Sequence, residues 1–88
     1  MSNWKMSRKT VKPLGDALYV RARLCLLGWP SVARWANHHD YAVGTVREVL
    51  RRWSHKTCEP LGGVSRDIMR DIRKTLENDI TPEMTKKA

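Results

Sequence analysis

The chain has 88 residues, with 17 Lys and Arg against nine Asp and Glu and a formal charge of +8. That length bounds one domain with a modest core and excludes a spacious catalytic cleft. The charge surplus points to polyanions, nucleic acid or an anionic membrane surface, and says little about fold.

No apolar run is long enough to cross a bilayer, and no apolar signal region follows the basic N-terminus. A cytoplasmic, nucleoid-associated protein with no membrane role is expected. The sequence also has no glycine-rich phosphate loop, no activated-serine motif and no convincing pair of carboxylates. An enzyme is not expected, nor is a cofactor. His38, His39, His55 and Cys58 match no zinc motif, so no metal site is expected either. Without a CxxC pair, Cys25 reads as a small buried hydrophobe and Cys58 as a loop residue.

Residues 1–13 form a basic arm. Lys5, Arg8, Lys9 and Lys12 occur there with Trp4 and no acidic residue, and Pro13 turns Lys12 away from helical geometry. Such a segment is either a solvated terminus or an arm that follows phosphates or enters a minor groove. The body then spans residues 14–79. A first helix is expected from Leu14 or Gly15 to Leu27, closed by Gly28 as a left-handed cap. Leu14, Leu18, Ala22, Cys25 and Leu26 form its apolar stripe, widened by Val20, Leu24 and Leu27, while Arg21 and Arg23 take the wetter side.

Ser31 is a good N-cap for a second helix over Val32 to His39. Val32, Trp35, Ala36 and His39 fall at i, i+3, i+4 and i+7, so they share one face. Trp35 is a large anchor whose indole N–H needs a partner, and His39 reads as a core-edge histidine. Asp40-Tyr41-Ala42 makes a short turn that Tyr41 plugs from below. A third helix runs from Ala42 or Val43 to Trp53, with Val46, Val49, Leu50 and Trp53 repeating the apolar rhythm. Its outer face holds Val43, Gly44, Arg47, Glu48 and Arg51. Two short helices joined so tightly form a helix-turn-helix, which in a basic chain points to duplex DNA. Ala42, Val43 and Gly44 have little bulk and permit close approach to a groove. Thr45 suits a phosphate or base edge, Arg47 a guanine, and Arg51 and Arg52 phosphates.

A loop over Ser54–Gly63 follows, from which Lys56 reaches toward backbone. Helix four spans Val64 to Asn78 with Val64, Ile68, Met69, Ile72 and Leu76 inward. Asp67–Arg70, Asp71–Lys74 and Arg73–Glu77 are spaced as surface pairs. Residues 80–88 are a polar tail or short helix, with Thr81 as cap and Pro82 at the first position.

The segment from Gly28 to Leu76 resembles the phage repressor-like helix-turn-helix class. Within it, Asp40-Tyr41-Ala42-Val43-Gly44-Thr45-Val46, then Leu50 and Trp53, are similar to the Ner-like regulators of transposable phages. The resemblance covers rather more than half of the chain. It implies an all-α, compact four- or five-helix bundle that binds an operator and represses a phage or mobile-element control region. By position, Ala42, Val43, Gly44, Thr45, Arg47 and Arg51 match the exposed recognition-helix sites, and Val46 and Val49 the buried ones. Asp40 departs from the glycine frequent in that turn, and the loop before helix four is long. The expected partner is double-stranded DNA, bound as a homodimer on an inverted-repeat operator. Two alternatives remain: a protein-interaction or inhibitor module without a DNA role, and a nonspecific architectural DNA binder. The outer face of helix three discriminates between them: a DNA reader needs Arg47 and Arg51 exposed and unpaired there, whereas a protein binder shows an exposed apolar patch on that face.

Overall fold

Asp16, in extended backbone geometry, accepts the Tyr19 N–H at 2.8 Å and so starts α1 (Ala17–Leu27). In this computed structural model, which describes residues 11–85, α1 is followed by α2 (Val32–His38), α3 (Val43–Trp53) and α4 (Gly63–Glu77). A short 3₁₀ turn over Pro82–Thr85 comes last. Among the described residues the fold is all-helical and compact, with no extended strand. Lys5, Arg8 and Lys9 of the basic arm, with Trp4, Lys86 and Lys87, lie outside the described residues.

Three helix ends close by one device. After α1, Gly28 takes φ 107° while the Trp29 N–H reaches the Leu24 carbonyl at 2.9 Å. After α2, Asp40 takes φ 63° while the Tyr41 N–H reaches the Ala36 carbonyl at 2.9 Å. After α4, Asp79 takes φ 50° and the Ile80 N–H reaches the Thr75 carbonyl at 3.0 Å. Each is a Schellman-type cap, in which a left-handed residue is followed by an apolar one that folds back onto the helix. Aspartate tolerates this conformation better than most residues because its short polar side chain bonds locally. Asp40 thus closes α2 with the same cap that Gly28 gives α1.

The core draws on all four helices. Val20 and Leu24 of α1 meet Val32, Trp35 and Ala36 of α2, then Val46, Val49 and Leu50 of α3 and Ile68, Met69, Ile72 and Leu76 of α4. Helix α3 packs against each of the other three. Trp35 is fully buried, and its indole N–H donates to Thr75 Oγ1 at 3.1 Å. The Thr75 hydroxyl in turn donates to the Asp71 carbonyl at 2.8 Å. Trp29 is also core, with its Nε1 donating to the Ile80 carbonyl at 3.0 Å and tying the C-terminal turn to the α1–α2 connection. The His39 ring lies 4.2 Å from the Trp35 ring at the core edge, and burial lowers its pKa below the ordinary histidine value.

The packing corrects several expectations drawn from spacing. Leu18 and Leu26 are 66% and 85% exposed, and Ala22 and Cys25 are exposed as well; α1 turns Val20 and Leu24 inward instead. Its apolar residues encircle the helix, so spacing alone does not choose the buried face. Val64 is 52% exposed at the start of α4. Among the described residues, none of the three α4 surface pairs forms an ion pair. Arg73 is buried and donates from Nη1 to the Lys12 carbonyl, and Asp71 is taken by Tyr41. The Val11 N–H donates to Thr57 O at 2.6 Å and the Leu14 N–H to Ser54 O at 2.8 Å, so residues 11–14 lie along the body.

Trp35→Ala should lower the unfolding free energy by about 3–5 kcal/mol, much of what a small domain has. Thr75→Val keeps the shape but strands the indole N–H, and should cost about 1–3 kcal/mol. Urea unfolding followed by circular dichroism checks both. An unchanged midpoint in Trp35→Ala would show that α2 does not anchor the core.

Candidate nucleic-acid interface

Helix α3 has two unlike faces. Val46, Val49 and Leu50 are buried, with Val43 and Trp53 packed partly against the core. Val43, expected on the outer face, is therefore half a core residue. The opposite face presents Gly44, Thr45, Arg47, Glu48, Arg51 and Arg52, all exposed, and Ala42 is exposed at the N-cap. Ala42 supplies no side-chain cap, which leaves the first amides of α3 without an internal acceptor there.

Gly44 is informative because nothing among the described residues requires it. A Cβ at that position would meet no atom within 4 Å, and its φ is not in the left-handed region. Glycine inside a helix costs roughly 0.5–1 kcal/mol relative to alanine. No packing among the described residues offsets that cost here.

The arginines of α3 differ. Arg47 is exposed and makes no ion pair among the described residues. Arg51 is exposed but engaged: its Nη2 donates to both Glu48 oxygens at 2.8 Å. Arg52 stands 3.6 Å from the same carboxylate. The Arg51 hydrogen bond holds the Glu48 carboxyl below its usual range. The expectation that both Arg47 and Arg51 stand unpaired thus holds for Arg47 alone. Glu48 is one residue after Arg47 and three before Arg51, so it falls on the same turn as Arg51 and Arg52.

A groove of ≈ 360 Å³ runs between α1 and α3, bordered by Arg21, Cys25, Pro30, Arg47 and Arg51. It gathers three guanidinium groups from two helices. Arg21 was legible only as a residue on the wetter side of α1; its place beside Arg47 comes from the packing of α1 on α3. Lys56, just past α3, lies with Nζ 4.6 Å from the centre of the Trp53 ring, which fixes its charge near the helix end. Lys12 is exposed elsewhere, at a separate cavity with Tyr19, Arg23 and Arg73, and is not brought together with Arg47.

The α2–α3 connection is held from beneath. Tyr41 donates its hydroxyl to Asp71 Oδ2 at 2.5 Å, tying the turn to α4. Burial, then the hydrogen bond to Asp71, pushes the phenol well above its ordinary pKa. No family model, curated protein or solved structure matches the chain.

Tyr41→Phe should cost about 1.5–3 kcal/mol by removing a charge-assisted bond. Combined with Asp71→Asn, the two effects should be clearly less than additive. The raised pKa means that the folded chain favours the protonated phenol. This contribution is complete below about pH 10 and is lost as the pH rises above it. Spectrophotometric titration of tyrosinate checks the direction: Asp71→Asn should bring the Tyr41 transition back toward the ordinary value. Strict additivity of the two substitutions would separate the groups.

Proposed function

We propose that the protein is a helix-turn-helix regulator that binds duplex DNA sequence-specifically, with α3 entering the major groove. Gly44 carries this reading, since it removes bulk from the exposed face of α3 where internal packing does not need it. A surface that must approach another molecule closely gives such a glycine a use. Arg47, one turn further on and free of any ion pair among the described residues, has the fork of donors that suits guanine O6 and N7. Arg51 and Arg52 sit farther along, shared with Glu48, and suit the phosphates, as does Lys56. Thr45 and the uncapped start of α3 face the same side.

One such unit covers a half-site, so two copies on a two-fold operator complete the arrangement. Repression at a phage or mobile-element control region, in the cytoplasm of a bacterial or phage-infected cell, follows from the resemblance to Ner-like regulators. Architectural binding without sequence preference shares the charge and the salt dependence, but it gives Gly44 and Arg47 no particular role.

Selection of bound fragments from random duplex DNA tests the reading; it should return a preferred sequence containing an inverted repeat. On that site Arg47→Ala should lose about 1–3 kcal/mol and relax selectivity at one base pair, whereas Arg51→Ala should weaken all sequences alike. Gly44→Ala should stabilise the free protein by about 0.4–1 kcal/mol while weakening the complex. If Gly44→Ala and Arg47→Ala both keep full affinity, α3 is not the reading helix.

The basic arm has its own test. Each phosphate that a protein neutralises steepens the fall of log affinity with log salt by about 0.9. Removing residues 1–10, with Lys5, Arg8 and Lys9, should flatten that slope and leave the order of preferred sequences intact. Retention of both affinity and slope would make the segment a solvated terminus.

A further inference from the structure

The outward face of α1 is apolar, and it is symmetric about Ala22. Leu18 (66% exposed), Tyr19 (50%) and Leu26 (85%) lie on it with exposed Ala22 and Cys25. At about 100° per residue these five span roughly 60° to either side of Ala22, and no charged residue falls between them. The sequence reads nearly the same in both directions from that centre: Leu18 answers Leu26, Tyr19 answers Cys25, Val20 answers Leu24 and Arg21 answers Arg23.

A two-fold contact demands that a patch complement itself, so that residue i meets residue j and j meets i. We propose that this face docks a second copy of the chain, with the two α1 helices antiparallel and the two-fold axis at Ala22. Leu18 of each copy then packs on Leu26 of the other, and Tyr19 on Cys25. The small Ala22 side chains at the centre let the helices approach closely. The arginines flank this face rather than lie on it, and Arg23 borders it at Tyr19. Arg23 donates to the Leu76 carbonyl at 3.2 Å and lies 5.9 Å over the Tyr19 ring, while Arg21 borders the groove with Arg47.

The area sets the strength. A patch of this kind offers about 400 Å² per copy, and the pair buries about 800 Å², below the roughly 1,200 Å² at which stable interfaces begin. The contact is therefore a weak self-association, of a size that a shared template reinforces. It supplies a surface for the two-copy arrangement proposed above, and it requires nothing of α3.

Sedimentation of the full chain without DNA, from about 10 µM to about 1 mM, should show a reversible monomer–dimer equilibrium. Leu26→Glu should abolish the dimer at every concentration and leave the melting temperature unchanged. In a Cys25→Ser, Cys58→Ser background, Ala22→Cys should form a disulfide-linked dimer under mild oxidation, whereas Asn37→Cys, exposed on α2, should not. A chain that is monomeric throughout overturns the proposal, as does a dimer indifferent to Leu26→Glu or a failure of Ala22→Cys to cross-link. A monomer whose melting temperature falls with Leu26→Glu would assign the face to another segment of the same chain. Binding of a single half-site by the Leu26→Glu variant keeps this outcome separate from the reading of α3.

Discussion

Two side chains from α2 and its turn grip two residues of α4 that stand one helical turn apart. Trp35 gives its indole N–H to Thr75, and Tyr41 gives its hydroxyl to Asp71. The Thr75 hydroxyl closes the set by donating to the Asp71 carbonyl. Two bonds at i and i+4 on one helix fix both the position of α2 along α4 and its rotation. A single anchor leaves one of these free. Because Trp35 is wholly buried, a slip would leave its N–H unpaired in an apolar surrounding, which makes the register steep in energy. The start of α3 is only a few residues away through the Asp40 turn, so its direction follows from this grip.

Helix α3 takes on two tasks that compete. Its inner face is the part of the core that meets every other helix, and that contact holds it rigid. Its outer face has little internal support: Ala42 offers no cap and Gly44 no packing. Binding surfaces gain from being held on rigid elements, because less order has to be imposed when the partner arrives. The fold places an uncapped, glycine-bearing helix start in front of a buried inner face.

The sequence made α2 and α3 legible because each has one apolar stripe on an otherwise polar helix. Val32, Trp35 and Ala36, then Val46, Val49 and Leu50, are all buried, as their spacing required. Helix α1 was legible at its end, through Gly28, but not at its start, which Asp16 sets at Ala17 rather than at Leu14 or Gly15, nor in orientation. Leu18, Leu24, Leu26 and Leu27 surround it, and only the packing of Val20 and Leu24 on the other helices decides which side is inside. The roles of Arg73 and Asp71 were hidden for a different reason. Spacing along α4 pairs them with Glu77 and Lys74, but Lys12 and Tyr41 are distant in sequence and reach them through the tertiary fold. The candidate site was readable as a row of residues on α3, and the i,i+3 spacing of Glu48 and Arg51 was the signal for their pairing; the addition of Arg21 was not readable, because it comes from the packing of α1 on α3.

That engagement gives Glu48 a physical role on the outer face. A carboxylate among Arg47, Arg51 and Arg52 opposes any polyanion, and on a surface selected for charge alone it is a defect. Paired with Arg51 by two bonds at 2.8 Å, it instead orders a long side chain that otherwise samples many rotamers. An exposed pair of this kind is worth little to stability, so it gives way when a phosphate competes for the guanidinium. Arg47 faces no such competitor. The two arginines then differ in what they give up to a partner: Arg51 exchanges one anion for another, whereas exposed Arg47 exchanges only water. On the function proposed above, this difference fits a base-reading role for Arg47 and a phosphate role for Arg51.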